Sequence, residues 1–133
     1  VFELLHVINN NPFSITAFEA AYNEGDQWLD SLMIYLAQNK TMAREFIAEH
    51  VPQIRCADIE GTYLLWLDCS DLQLSDAALR DFFIRECKVG MNPGIVFGEE
   101  GRGFMRMNIG TTRANLLAAW QSIGKAISSG SRR

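Results

Sequence analysis

Pro93-Gly94, Phe97-Gly98 and then Gly101-Arg102-Gly103-Phe104-Met105-Arg106-Met107-Asn108-Ile109-Gly110 form a glycine-rich loop running into an alternating segment. Side chains alternate across a strand, so Met105, Met107 and Ile109 share one face and Phe104, Arg106 and Asn108 share the other. The spacing predicts a strand that buries the first row and shows one guanidinium on the second. Two readings of Arg106 stay open at this point. It is a solvated arginine on the wet face of an edge strand, or a planar fork of donors suited to two-point capture of a carboxylate. The glycines allow close backbone approach, but their spacing is not GxGxxG and they lead into a strand, so the loop reads as the turn that places Arg106.

Outward from this segment the chain alternates helical and strand patterns. Ser14 is a suitable N-cap for a short helix through Tyr22, closed at Asn23-Glu24-Gly25 by a glycine expected in the left-handed conformation. From Asp26 to Glu49, Trp28, Leu29, Leu32, Met33, Leu36, Ala43, Phe46 and Ile47 recur at three and four, one face of a long amphipathic helix stopped by Val51-Pro52. Ile54 to Ile59 is a candidate strand, and Tyr63-Leu64-Leu65-Trp66-Leu67 a stronger, central one. Ser75 caps a helix through Lys88, with Asp76 in its first turn and Leu79, Phe82, Phe83 and Cys87 as its buried stripe. Val89-Gly90-Met91 is expected as a short strand. Thr112 opens the last helix, with Leu116, Leu117, Trp120, Ile123 and Ile127 facing the core.

These elements predict an α+β fold, a two-layer sandwich in which a small mixed or antiparallel sheet is covered by helices. Residues 1–13 read as a lead-in packing on a missing domain, 14–127 as the domain itself, and 128–133 as a flexible tail. At 133 residues the chain has the size of one domain. A net charge of −4 leaves no basic stripe, which argues against nucleic acid as a partner and against a polybasic membrane contact. The opening Val1 to Ile8 is too short for a membrane span. Cys56, Cys69 and Cys87 are odd in number and widely spaced, so reduced thiols in a cytoplasmic protein are expected rather than a disulfide framework. With His6 and His50 they form no metal-ligand pair, and neither histidine has a partner suggesting a catalytic triad.

Two further segments accompany the first: Ala20-Ala21-Tyr22-Asn23-Glu24-Gly25-Asp26-Gln27-Trp28-Leu29-Asp30-Ser31-Leu32 with Tyr35-Leu36 and Asn39, and Glu60-Gly61-Thr62-Tyr63-Leu64-Leu65-Trp66-Leu67-Asp68. With PGxxFGxxGxGFxRxN and the following Arg113, the ordered set resembles the C-terminal end of the aspartate-aminotransferase-like, pyridoxal-phosphate (PLP)-dependent enzymes of fold type I. It is most similar to their cystathionine β-lyase or C–S lyase branch, and the resemblance covers nearly the whole chain.

The resemblance implies a small C-terminal domain whose Arg106 binds the α-carboxylate of an amino-acid substrate. It also implies a missing N-terminal domain that holds PLP on a lysine. Lys40, Lys88 and Lys125 are the only lysines, and none follows a strand in a Ser-rich turn where the family places that residue. The chain, which does not begin with Met, is therefore expected to be part of a larger, homodimeric enzyme and inactive alone, contributing no catalytic residue and binding no PLP by itself. Asn108 reads as a brace for the Arg106 guanidinium or as an amide satisfying local backbone. Tyr63 reads as a pocket wall or as core, core being favoured for an aromatic strand residue. Arg113 reads as a structural ion pair, Trp28 and Tyr35 as core or interdomain contacts. The competing reading is a stand-alone amino- or keto-acid-binding or interaction module without catalysis.

Overall fold

The computed structural model describes residues 11–130. They form two compact units that divide at Tyr35 and Leu36. The division falls within a continuous helix.

The first unit contains α1 (Pro12–Glu24) and the start of α2 (Asp26–His50). Asn11 caps α1, its side chain accepting from the Phe13 N–H at 2.9 Å, and Pro12 occupies the first turn. That replaces the cap expected at Ser14. A proline at the first helical position loses no hydrogen bond, so Asn11-Pro12 starts the helix. Gly25 does close α1, but at φ −87° and not in the left-handed region. Its glycine is required by space: a Cβ there would lie 2.2 Å from the Ala21 carbonyl oxygen. No residue of α1 is buried, and Trp28 and Met33 of α2 are 69% and 55% exposed, so the expected core role of Trp28 does not hold.

In the second unit the remainder of α2 buries Leu36, Asn39, Ala43 and Ile47. The sheet has four antiparallel strands in the order β1 (Arg55–Cys56), β2 (Leu64–Asp68), β4 (Phe104–Asn108), β3 (Asn92–Pro93). β2 and β4 are the central pair, registered Leu65 to Met107, Trp66 to Arg106 and Leu67 to Met105. The candidate strand at 54–59 shrinks to two residues. The short strand expected at Val89-Gly90-Met91 lies instead at Asn92–Pro93, because Lys88 takes φ +57° and the Val89 N–H turns back to the Phe83 carbonyl at 2.9 Å. That left-handed residue ends the preceding turn and delays the strand.

Ser75 caps α3 (Asp76–Asp81) through the Ala78 N–H, and a π-helical turn, Phe82–Glu86, continues it and buries Phe83. The last helix, α4 (Arg113–Gly130), buries Leu116, Trp120, Ile123, Ala126 and Ile127, whereas Leu117 is 38% exposed and leaves the expected stripe. The tail expected from 128 continues α4 through Gly130; residues 131–133, like 1–10 of the lead-in and His6 within it, lie outside the described residues.

Leu65, Leu67, Cys69, Met105, Met107 and Ile109 line one face of the sheet and join Leu79, Phe83, Trp120 and Ile123 in one core. Sheet and helices therefore make the two layers that the sequence predicts. No helix among the described residues is long and apolar enough to cross a membrane.

Candidate functional site

The opposite face of the sheet carries Leu64, Trp66 and Asp68 from β2 and Phe104, Arg106 and Asn108 from β4, none of them buried. Arg106 stands opposite Trp66 on one side and Asn92 on the other. Its Cζ lies 4.4 Å from the centre of the Phe97 ring. Phe97 in turn meets Trp66 edge-on at 5.8 Å, and Trp66 stacks on Phe104 at 5.6 Å. An aromatic bed thus supports the guanidinium, a placement that a cation favours.

One terminal nitrogen of Arg106 donates to Asn92 Oδ1 at 3.4 Å, while its Nε is buried with no acceptor. No carboxylate among the described residues pairs with it. The neighbouring charges are committed elsewhere. Asp68, on the same face, is bound by Arg55 at 2.9 Å and by Ser70, whose hydroxyl donates at 2.6 Å. Burial pushes its carboxyl up, but the Ser70 hydrogen bonds and Arg55 outweigh that and hold it below the ordinary carboxylate value. Arg102 pairs with Glu99 at 2.6 Å. A cation left without a counter-charge on a partly dry surface is a site for an anion, and a guanidinium suits a planar one.

The loop that delivers Phe97 is two short 3₁₀ turns, Gly94–Phe97 and Glu99–Gly101. Gly94 and Gly101 touch: a Cβ on Gly101 would sit 2.1 Å from the Gly94 carbonyl oxygen, and one on Gly94 would sit 2.3 Å from that of Gly101. The glycines serve backbone-to-backbone contact within the loop.

Asn108 does not brace Arg106; its Oδ1 accepts from the Gly110 N–H at 2.7 Å. The bracing amide is Asn92, which sequence reasoning missed because it lies on another strand. Tyr63 is not core: it precedes β2, is 48% exposed, and its ring borders Gly110 beside Asn108. Strand propensity pointed to burial, but the strand begins one residue later. Thr62 before it sits at φ +65°, a strained position for a β-branched residue, with its Oγ1 accepting from the Leu64 N–H at 3.3 Å. Arg113 hydrogen-bonds Gln38 Oε1 at 2.6 Å. Asn39 is fully buried. Its amide donates to the carbonyls of Ile109 at 3.0 Å and Thr111 at 3.1 Å, fixing the exit of β4.

No protein-family model matches the chain. Cystathionine beta-lyase PatB of Bacillus subtilis is 39% identical over 118 residues, which are 89% of this chain and 30% of that protein. A PLP-bound putative aminotransferase from Clostridium difficile 630 matches with a TM-score of 0.89 and 40% identity, over 95% of this chain and 33% of the other. Cystalysin from Treponema denticola, whose crystal structure contains pyridoxal 5′-phosphate, matches with a TM-score of 0.87 and 28% identity, over 90% of this chain and 30% of its own. The chain spans about a third of the length of these relatives.

The residues present do not fit the covalent anchor of that cofactor. Lys40 is bound to the Ile59 carbonyl and to Asp58 at 3.1 Å, Lys125 lines a separate depression with Phe46 and His50, and Lys88 closes the π turn. None of the three joins Arg106. Among the described residues, what stands on the outer sheet face is the Arg106 guanidinium with no carboxylate paired to it. With sequence and fold in agreement over nearly its whole length, the chain matches the cystathionine β-lyase-like branch of the aspartate-aminotransferase-like PLP-dependent enzymes as a C-terminal fragment of their fold.

Proposed function

We propose that this chain is the carboxylate-binding part of a larger PLP-dependent enzyme acting on amino acids, a carbon–sulfur β-lyase or an aminotransferase. The observation that carries this reading is Arg106, half-buried, with a buried Nε lacking an acceptor and no carboxylate paired to it among the described residues. Every amino-acid substrate brings an α-carboxylate of matching geometry. Two parallel hydrogen bonds from Arg106 would fix that group and, through it, the direction of the Cα–H bond whose proton is removed. PLP, when bound by the rest of the enzyme, supplies the electron sink that makes this proton acidic. Trp66, Phe97 and Phe104 lower the local polarity and so strengthen the ion pair. Tyr63 and Asn108, near Gly110, are proposed as a second, weaker edge of the same substrate surface. Without the cofactor lysine the chain turns over no substrate by itself, and the intact enzyme is proposed to be a homodimer.

The test is steady-state kinetics of the full-length enzyme. Arg106→Ala should lower kcat/KM for an amino-acid substrate by about 2–4 kcal/mol, the cost of losing one partner of a desolvated charged pair. Arg106→Lys should recover only part of it, because an ammonium lacks the planar fork. Unchanged kinetics in Arg106→Ala would overturn the assignment.

A further inference from the structure

We propose that Phe97 is a positioning residue for Arg106, and that the glycine-rich loop exists in this protein to hold that ring against the guanidinium. The inference rests on the carboxylate-binding role proposed for Arg106. An arginine side chain has many rotamers, and ordering it on binding costs free energy that weakens capture of a small ligand. Here that cost is met before the ligand arrives. The guanidinium is held on its face by Phe97 at 4.4 Å and at one edge by Asn92 Oδ1 at 3.4 Å. Both contacts come from outside β4, one from the adjoining loop and one from the paired strand.

Phe97 is 52% exposed, so burial alone does not explain why it keeps its position. Its other contact is the edge of Trp66, and its backbone belongs to the first of two turns clasped by Gly94 against Gly101. A merely space-filling side chain in that position would be replaceable by leucine. A cation–π partner would not, since only an aromatic face carries the negative charge density that attracts the guanidinium. Phe97 needs no contact with the ligand for this role; it acts through Arg106.

The experiment compares Phe97→Leu, Phe97→Tyr and Arg106→Ala in the full-length enzyme loaded with PLP. Calorimetric binding of butyrate, and of butyramide as a probe without the charge, is measured beside the KM and kcat for an amino acid. Phe97→Leu should weaken butyrate and raise KM by about fivefold, the size of an exposed cation–π contact, with kcat little changed. Butyramide binding should not move, and Phe97→Tyr should restore the wild-type values. If Phe97→Leu binds butyrate as wild type does while Arg106→Ala loses it, the positioning role falls and the arginine's role stands. Equal weakening of butyrate and butyramide, with a lowered Tm, would make Phe97 a packing residue and overturn the inference. If Arg106→Ala itself keeps butyrate affinity, the carboxylate reading fails first.

Discussion

The two faces of the β2–β4 ladder are built from alternate residues of the same ten, yet they obey different rules. On one, Leu65, Leu67, Met105 and Met107 are 0–4% exposed and bury against the helices. On the other, Trp66, Phe104 and Arg106 are half-buried and hold one another through ring and cation contacts around an unpaired charge. The first face is insured by area removed from water, which any well-shaped apolar side chain supplies. The second depends on one guanidinium being in one place. Stability and binding are therefore expected to separate by odd and even positions along the same strands.

Substitutions on the buried face should give the largest loss of stability. Leu67→Ala, at a fully buried position of the central strand, is expected to cost about 2–5 kcal/mol of unfolding free energy, read as a lower denaturation midpoint at unchanged m-value. Trp66→Leu, its neighbour on the outer face, should cost only about 1 kcal/mol, the scale of the ring contacts it gives up. If Trp66→Leu proved as damaging as Leu67→Ala, the faces would not differ in kind.

A third effect sharpens the comparison from the buried side. Cys69 continues the row of Leu65 and Leu67, and Cys87 packs in the same core. Burial, with Asp68 and Cys87 nearby, pushes the Cys69 thiol up to about 12, and burial with Glu86 does the same to Cys87. An unfolded thiol titrates near ~8.5, so the folded state favours the protonated form. Its contribution is fully present below that pH and is lost as pH rises toward 12. Thermal denaturation should therefore show a Tm that declines above pH ~9, and Cys69→Ala/Cys87→Ala should flatten part of that decline. Identical alkaline profiles in the two proteins would mean that the thiols do not feel the core.

Much of this was legible in the sequence, and the reasons are specific. Alternation in 104–109 set the faces of β4, and the three-and-four recurrence in 113–127 set most of the buried side of α4 but wrongly included Leu117, which is exposed. Hydrophobic period reports which residues share a face, not what covers it. Trp28 and Met33 share a face with Leu36 yet stay exposed. Local signals also misplaced boundaries where one residue's backbone decided them: Pro12 at the start of α1, Lys88 before β3, Thr62 before β2. In the site, Arg106 was readable because it interrupts an apolar strand. Asn92 and Phe97 were not, since their relation to Arg106 exists only after β3 and the loop fold back. Asn39 did leave a signal, an amide at the same three-and-four spacing as Leu36, Ala43 and Ile47. A polar residue on a buried stripe is expected to hold backbone groups, as this one does.

The contact between Gly94 and Gly101 bears on inheritance. A side chain at one of these positions meets the main chain of the other, so no smaller residue at the second can relieve it. The two glycines can then be kept or lost only together. In descendants of this sequence that preserve the clasp, both columns should stay glycine whatever happens to the six residues between them, leaving the loop's tip free to vary while its closure is fixed.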